Sequence, residues 1–147
     1  MAELEREIVI AATPATIWPF LTDPDRHVEW DGTVAEIDPR PGGIYRVLVA
    51  GQYQSVGEYV EVVPHEKVVF TFGWEQEGNP IRPGSTTVEI TLQPEGDKTR
   101  VRVVHSGLPT DDTAGNHGQG WAYYLERLAV RVEGGDPGHD HGPFGAA

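Results

Sequence analysis

Two side chains in this chain are placed to move a proton, His105 and Glu58. His105 alternates with Val101 and Val103, so in extended backbone the three share one face. A buried imidazole there would serve as a general base, or hydrogen-bond the loop that follows it. Glu58 shares a face with Val56, Val60 and Val62 on a regular strand, which would bring an acid to the same interior. A one-residue slip would instead turn Tyr59 inward and leave Glu58 in water. A buried carboxyl group must be paired or protonated, so such a site would titrate abnormally. Tyr45, Asp31 and Thr86 are further sources of polar contacts.

Other chemistries are poorly supplied. His139-Asp140-His141 has the residue types of a metal site, but it sits on a Gly- and Pro-rich tail without a rigid scaffold. Gly115, Gly118 and Gly120 follow a polar loop rather than a strand, so they suit a closely packed helix start better than a phosphate loop. The chain has no cysteine, hence no disulfide and no thiol nucleophile, and no Gly-x-Ser-x-Gly elbow. His27, His65 and His117 show no spacing that connects them. No metal or organic cofactor is expected, and no catalytic signature emerges beyond the weak candidates His105 and Glu58.

The elements that must position these residues follow from periodicity. A strand over Glu3–Ala11 is followed by two short helices, opened by Thr13-Pro14 and Asp23-Pro24. Strands follow at Val34–Ile37, Ile44–Ala50, Tyr53–Val63, Lys67–Trp74, Thr86–Leu92 and Thr99–His105. The segment Lys67–Trp74 puts Val68, Phe70, Phe72 and Trp74 on one face. After a loop over Ser106–Asn116, a helix from about His117 to Glu133 carries Trp121, Tyr124, Leu125, Leu128, Ala129 and Val132 as one apolar stripe. Glu126, Arg127 and Arg131 fall on its other side. If the aromatic row and this stripe meet, they are core; if they stand apart, they wall a pocket. Short turns imply an antiparallel sheet, and one helix covers seven strands only if the sheet curls around it.

The 147 residues suit one α+β domain over residues 1–133, with a disordered Gly/His-rich tail over 134–147. The formal net charge of −12 argues against nucleic acid and against an anionic membrane surface as partners. No apolar run is long enough to span a bilayer, and Met1–Ile10 carries charges where a signal peptide needs an apolar stretch. A cytoplasmic protein is expected.

Pro14–Trp18 with Asp23-Pro24 and Trp30, Pro41-Gly42-Gly43 with Tyr45 and Arg46, and Gly57 through Pro64 form an ordered set of motifs. Val68–Trp74, Thr99–Val103 leading to His105-Ser106-Gly107, and Gly120-Trp121 with Leu125 and Leu128 continue it. In this order the chain resembles the helix-grip SRPBCC (START-like) superfamily, in the branch of the C-terminal domain of the activator of the heat-shock-protein ATPase (Aha-type). The resemblance spans about residues 3–132. It implies a curved sheet of about seven antiparallel strands gripping a long C-terminal helix, with a cavity between them. The cavity would be lined by Trp30, Tyr45, Phe70, Phe72, Trp74, Val88, Ile90, Val103, His105, Trp121, Tyr124, Leu125 and Leu128. Relatives of this kind bind hydrophobic molecules, cyclise polyketides or assist chaperones. The full-length chaperone activators carry a further N-terminal domain ahead of this one, which weighs against a chaperone role here.

The expected function is binding of a hydrophobic or aromatic small molecule in that cavity. A polyketide cyclase- or dehydratase-like enzyme and a chaperone-associated or other protein-interaction module are the alternatives. A homodimer formed through sheet edges is a further expectation.

Overall fold

The computed structural model describes residues 2–143. Its elements run β1 (Ala2–Ile10), α1 (Pro14–Thr22), α2 (Pro24–His27), β2 (Val34–Ile37), β3 (Ile44–Val49), β4 (Tyr53–Val63), β5 (Lys67–Phe72), β6 (Thr86–Glu95), β7 (Lys98–Leu108) and α3 (Asp111–Val132). Seven antiparallel strands form one sheet in the order β1-β7-β6-β5-β4-β3-β2. Every strand from β2 to β7 pairs with its neighbour in sequence, and β1 closes the order beside β7. The open sheet curls around α3 in a helix-grip arrangement, and α3 lies closest to β1.

Local chemistry explains the element ends. Thr13 and Asp23 cap α1 and α2, each followed by proline at the first helical position. Pro19 interrupts α1, which ends at Thr22. On β5, Val68, Phe70 and Phe72 are buried while Val69 and Thr71 are half-buried, as the alternation predicts. The strand stops two residues short of the expected Trp74. Trp74 rejoins the sheet through one bridge to Ser55. A Cβ on Gly73 would lie 1.7 Å from the Arg82 carbonyl oxygen, so only glycine lets the following loop fold back there.

Two expectations change at this level. On β4 the register turns Tyr59 inward, 2 % exposed, and leaves Glu58 in solvent. A bulge between Tyr59 and Glu61 exposes Val60 as well, so the regular alternation that would bury Glu58 does not run the length of the strand. The long helix begins at Asp111, not near His117. Thr110 and Thr113 cap each other reciprocally there, with Asp111 and Asp112 in the first turn, and this outweighs the glycines that read as loop. Of those glycines, Gly118 alone makes a close approach, against the Arg6 guanidinium of β1.

The core between sheet and helix includes Phe70, Val88, Ile90, Val103, Leu125 and Leu128. Trp30 joins it, donating its indole N–H to the Phe20 carbonyl at 2.8 Å. Arg127, placed by periodicity on the solvent side of α3, is buried instead. Its Nε donates to the Trp30 carbonyl at 3.0 Å, tying the helix to the α2 region. Beyond α3, residues 134–143 run back along the helix. Asp140 accepts hydrogen bonds from the Tyr123 and Tyr124 hydroxyls. Of the tail expected to be disordered, 144–147 lie outside the described residues.

Candidate functional site: an aromatic cavity

A cavity of about 390 Å³ opens between the first half of α3 and the β3–β5 part of the sheet. Its walls are Tyr45 and Val49 of β3, Tyr53 and Ser55 of β4, Phe72, Trp74, and Asn116, His117, Gly120, Trp121 and Tyr124 of α3. Asp31 stands at one side, and His141, Gly142 and Pro143 close another. The interior of a protein is close-packed, so a space this large next to a packed core is a distinct feature of the fold. It falls in the size range of small-molecule pockets.

The aromatic row of β5 therefore divides. Phe70 belongs to the core and stacks on Tyr45, with ring centroids 4.1 Å apart and planes 17° apart. Phe72 and Trp74, edge to face at 5.1 Å, face the cavity. Of the expected lining residues, Tyr45, Phe72, Trp74, Trp121 and Tyr124 come together on its wall. Trp30, Phe70, Val88, Ile90, Val103, Leu125 and Leu128 are packed away from it, because α3 seats against the sheet in their region and leaves room only at its N-terminal half.

Both wall tryptophans commit their indole N–H groups to histidines. Trp121 Nε1 donates to His105 Nδ1 at 3.1 Å. An indole can only donate, so His105 carries its proton on Nε2, which donates to Thr86 Oγ1 at 2.8 Å. Thr86 in turn donates to the Phe72 carbonyl at 2.7 Å. In parallel, Trp74 Nε1 donates to His117 Nε2 at 3.0 Å, and His117 Nδ1 donates to the Thr113 carbonyl at 2.8 Å. Burial, reinforced by nearby His117, lowers the His105 pKa to about 3. Burial also lowers that of His117, against the opposing bond to Thr113. Both rings are neutral braces for tryptophans. His105 is fully buried with both nitrogens occupied, and Glu58 is on the outer surface, so the acid–base pair weighed from the sequence is not assembled.

Asp31 supplies the polar side of the cavity. It is 6 % exposed, and its Oδ2 lies 3.2 Å from His27 Nε2. Burial first, then the Asp31 charge, pushes the phenols of Tyr45 and Tyr124 up. The His139-Asp140-His141 motif points apart: the two rings meet at 4.7 Å while Asp140 turns to Tyr123 and Tyr124. Among the described residues, no group of three metal-ligating side chains converges.

The model of the family described as Activator of Hsp90 ATPase homolog 1-like protein matches residues 11–133. The chain belongs to this family. An AHSA1-like protein from Rhizobium etli is 41 % identical, with a TM-score of 0.75 over 99 % of this chain and 89 % of that one. DynU16, a putative protein in the dynemicin biosynthetic locus, is 22 % identical with a TM-score of 0.81 over 92 % of this chain. This chain spans 48 % of DynU16, about half its length. The Aha1 dimer of Colwellia psychrerythraea is 23 % identical, with a TM-score of 0.75 over 92 % of this chain and 98 % of that one. The last two likenesses establish the fold. No match to a curated protein was found. Among the described residues of this AHSA1-like chain, no helix is long and apolar enough to cross a membrane.

Sequence reasoning missed Val49, Tyr53, Ser55 and Asn116 on the wall, and with them His117 and the tail segment. His117 lies one helical turn before Trp121, and His117, Trp121 and Tyr124 are spaced i, i+4, i+7. That spacing extends the apolar stripe backwards once the helix start is placed at Asp111. The tail segment at 140–143 gave no periodic signal, since its contacts are individual hydrogen bonds and a proline.

Proposed function

We propose that this AHSA1-like domain binds a hydrophobic or aromatic small molecule in the cavity between α3 and the β3–β5 part of the sheet. The observation that carries the reading is the bracing of both wall indoles by histidines, buried His105 and half-buried His117. Their N–H groups are satisfied inside the protein, so Phe72, Trp74 and Trp121 present apolar ring surface to an occupant. Burying roughly 250 Å² of a two-ring molecule would gain about 6 kcal/mol at about 25 cal/mol per Å², before the costs of association.

The cyclase-type alternative is less well supplied, because His105 has no free nitrogen and Glu58 faces water. The interaction-module alternative is also weaker. The large apolar side chains exposed among the described residues, Val9, Val34, Ile44, Tyr53, Val60 and Val130, are spread over five elements.

Fluorescence of the neutral probe N-phenyl-1-naphthylamine tests the reading. The protein should bind it saturably. Phe72→Ala and Trp121→Ala should each weaken binding about fivefold or more, while Val69→Ala, on the other face of β5, should change it less than twofold. Equal affinity in all three variants at equal folded fraction would remove the cavity from the account.

A further inference from the structure

Three donors on the cavity wall are already committed. Both indole N–H groups are committed to histidines, and the Tyr124 hydroxyl donates to Asp140 at 3.0–3.1 Å, so none of these is free to donate to an occupant. Asp31 is the only carboxylate among the described lining residues, and no Lys or Arg lines the space.

Only one side of that carboxylate has a hydrogen-bond partner. One oxygen meets His27 Nε2 at 3.2 Å, while the other makes no hydrogen bond to any described residue. His27 Nδ1 is itself buried without a partner. His27 thus meets only one of the two Asp31 oxygens. Arg127 donates to the Trp30 and Pro137 carbonyls and makes no hydrogen bond to Asp31. A buried carboxylate oxygen with no donor favours an occupant that can donate to it. The neighbouring surfaces are aromatic: Tyr45, Phe72, Trp74, Trp121 and Tyr124. Aromatic faces attract cations through their ring quadrupoles and add to the pull of the carboxylate.

We infer that the molecule this cavity takes is an organic cation, a protonated amine on an aromatic or apolar body. Its ammonium group meets the free oxygen of Asp31, and its body lies against Phe72, Trp74 and Trp121. The inference rests on the cavity-binding reading and narrows it to one charge class.

Three probes of one shape separate the two. 1-Naphthylmethylamine is cationic, 1-naphthylmethanol is its neutral counterpart, and 1-naphthoate is the anion; each is titrated against bound N-phenyl-1-naphthylamine. In the unmodified protein the amine should displace the reporter at least tenfold more effectively than the alcohol, and the alcohol more effectively than the naphthoate. Asp31→Asn, checked for folding by circular dichroism, should bring the amine to within threefold of the alcohol and leave the alcohol nearly unchanged. Equal displacement by amine and alcohol in the unmodified protein overturns the charge class while the cavity stands. So does an amine preference that survives in Asp31→Asn. If the reporter itself does not bind, both readings fall. The ranking of the three probes in the unmodified protein decides the matter even if the variant does not fold.

Discussion

His105 and His117 accept the indole protons of Trp121 and Trp74, and this fixes the protonation state of each ring as well as the aim of each tryptophan. A histidine held neutral in the fold but free to charge when unfolded makes stability depend on pH. With the folded pKa of His105 lowered to about 3, the unfolded chain binds more protons than the folded one between pH 3 and about 6.5. Its contribution is fully present above pH 6.5 and is lost as the pH falls toward 3. His117 acts in the same direction. The slope is at most about 1.4 kcal/mol per pH unit for each histidine. Urea unfolding between pH 7 and pH 4 should show stability falling with pH, and His105→Gln should flatten that slope. A slope unchanged in His105→Gln would mean that His105 is not buried neutral. That His105 points inward was legible in its alternation with Val101 and Val103. Its partners were not, because Thr86 and Trp121 come from other elements, and alternation within one strand carries no information about what stands opposite.

At the scale of elements, the order of strands and helices was readable because apolar periodicity and proline caps mark each one. The start of α3 was not, since Gly115, Gly118 and Gly120 lower helix propensity in the very turns that the Thr110–Thr113 cap secures. The segment after α3 was harder still. Its composition gives no period, yet Asp140 is 9 % exposed and holds Tyr123, Tyr124 and the Gly142 N–H. Asp140→Ala should free this segment from the cavity mouth, and amide exchange at Gly142 should rise more than tenfold while exchange in β6 and β7 is unchanged. Equal protection of Gly142 in both proteins would show that the Asp140 contacts do not hold the segment.

For the whole molecule, the curl of the sheet sets where space can exist. α3 seats against β1 and β7, its apolar side chains sharing one core with Val88, Ile90 and Val103, and the far strands β3 to β5 stand off from its N-terminal half. This is why five of the aromatic residues picked from the sequence share a wall while Val47, two residues beyond Tyr45, and Phe70, two before Phe72, are solid core. Family and fold were legible in the order of motifs; the division between wall and core depends on the distance from helix to sheet, which no motif encodes. The four tryptophans sample this division. Trp74 and Trp121 face the cavity, Trp30 is locked in the core to the Phe20 carbonyl, and Trp18 packs against His65 at 6.0 Å. The ¹H–¹⁵N spectrum of the indole groups during titration with N-phenyl-1-naphthylamine tests the central claim most directly. The Trp74 and Trp121 signals should shift saturably together while those of Trp18 and Trp30 stay in place. Shifts confined to Trp18, or shared equally by all four, would contradict a ligand cavity between β5 and α3.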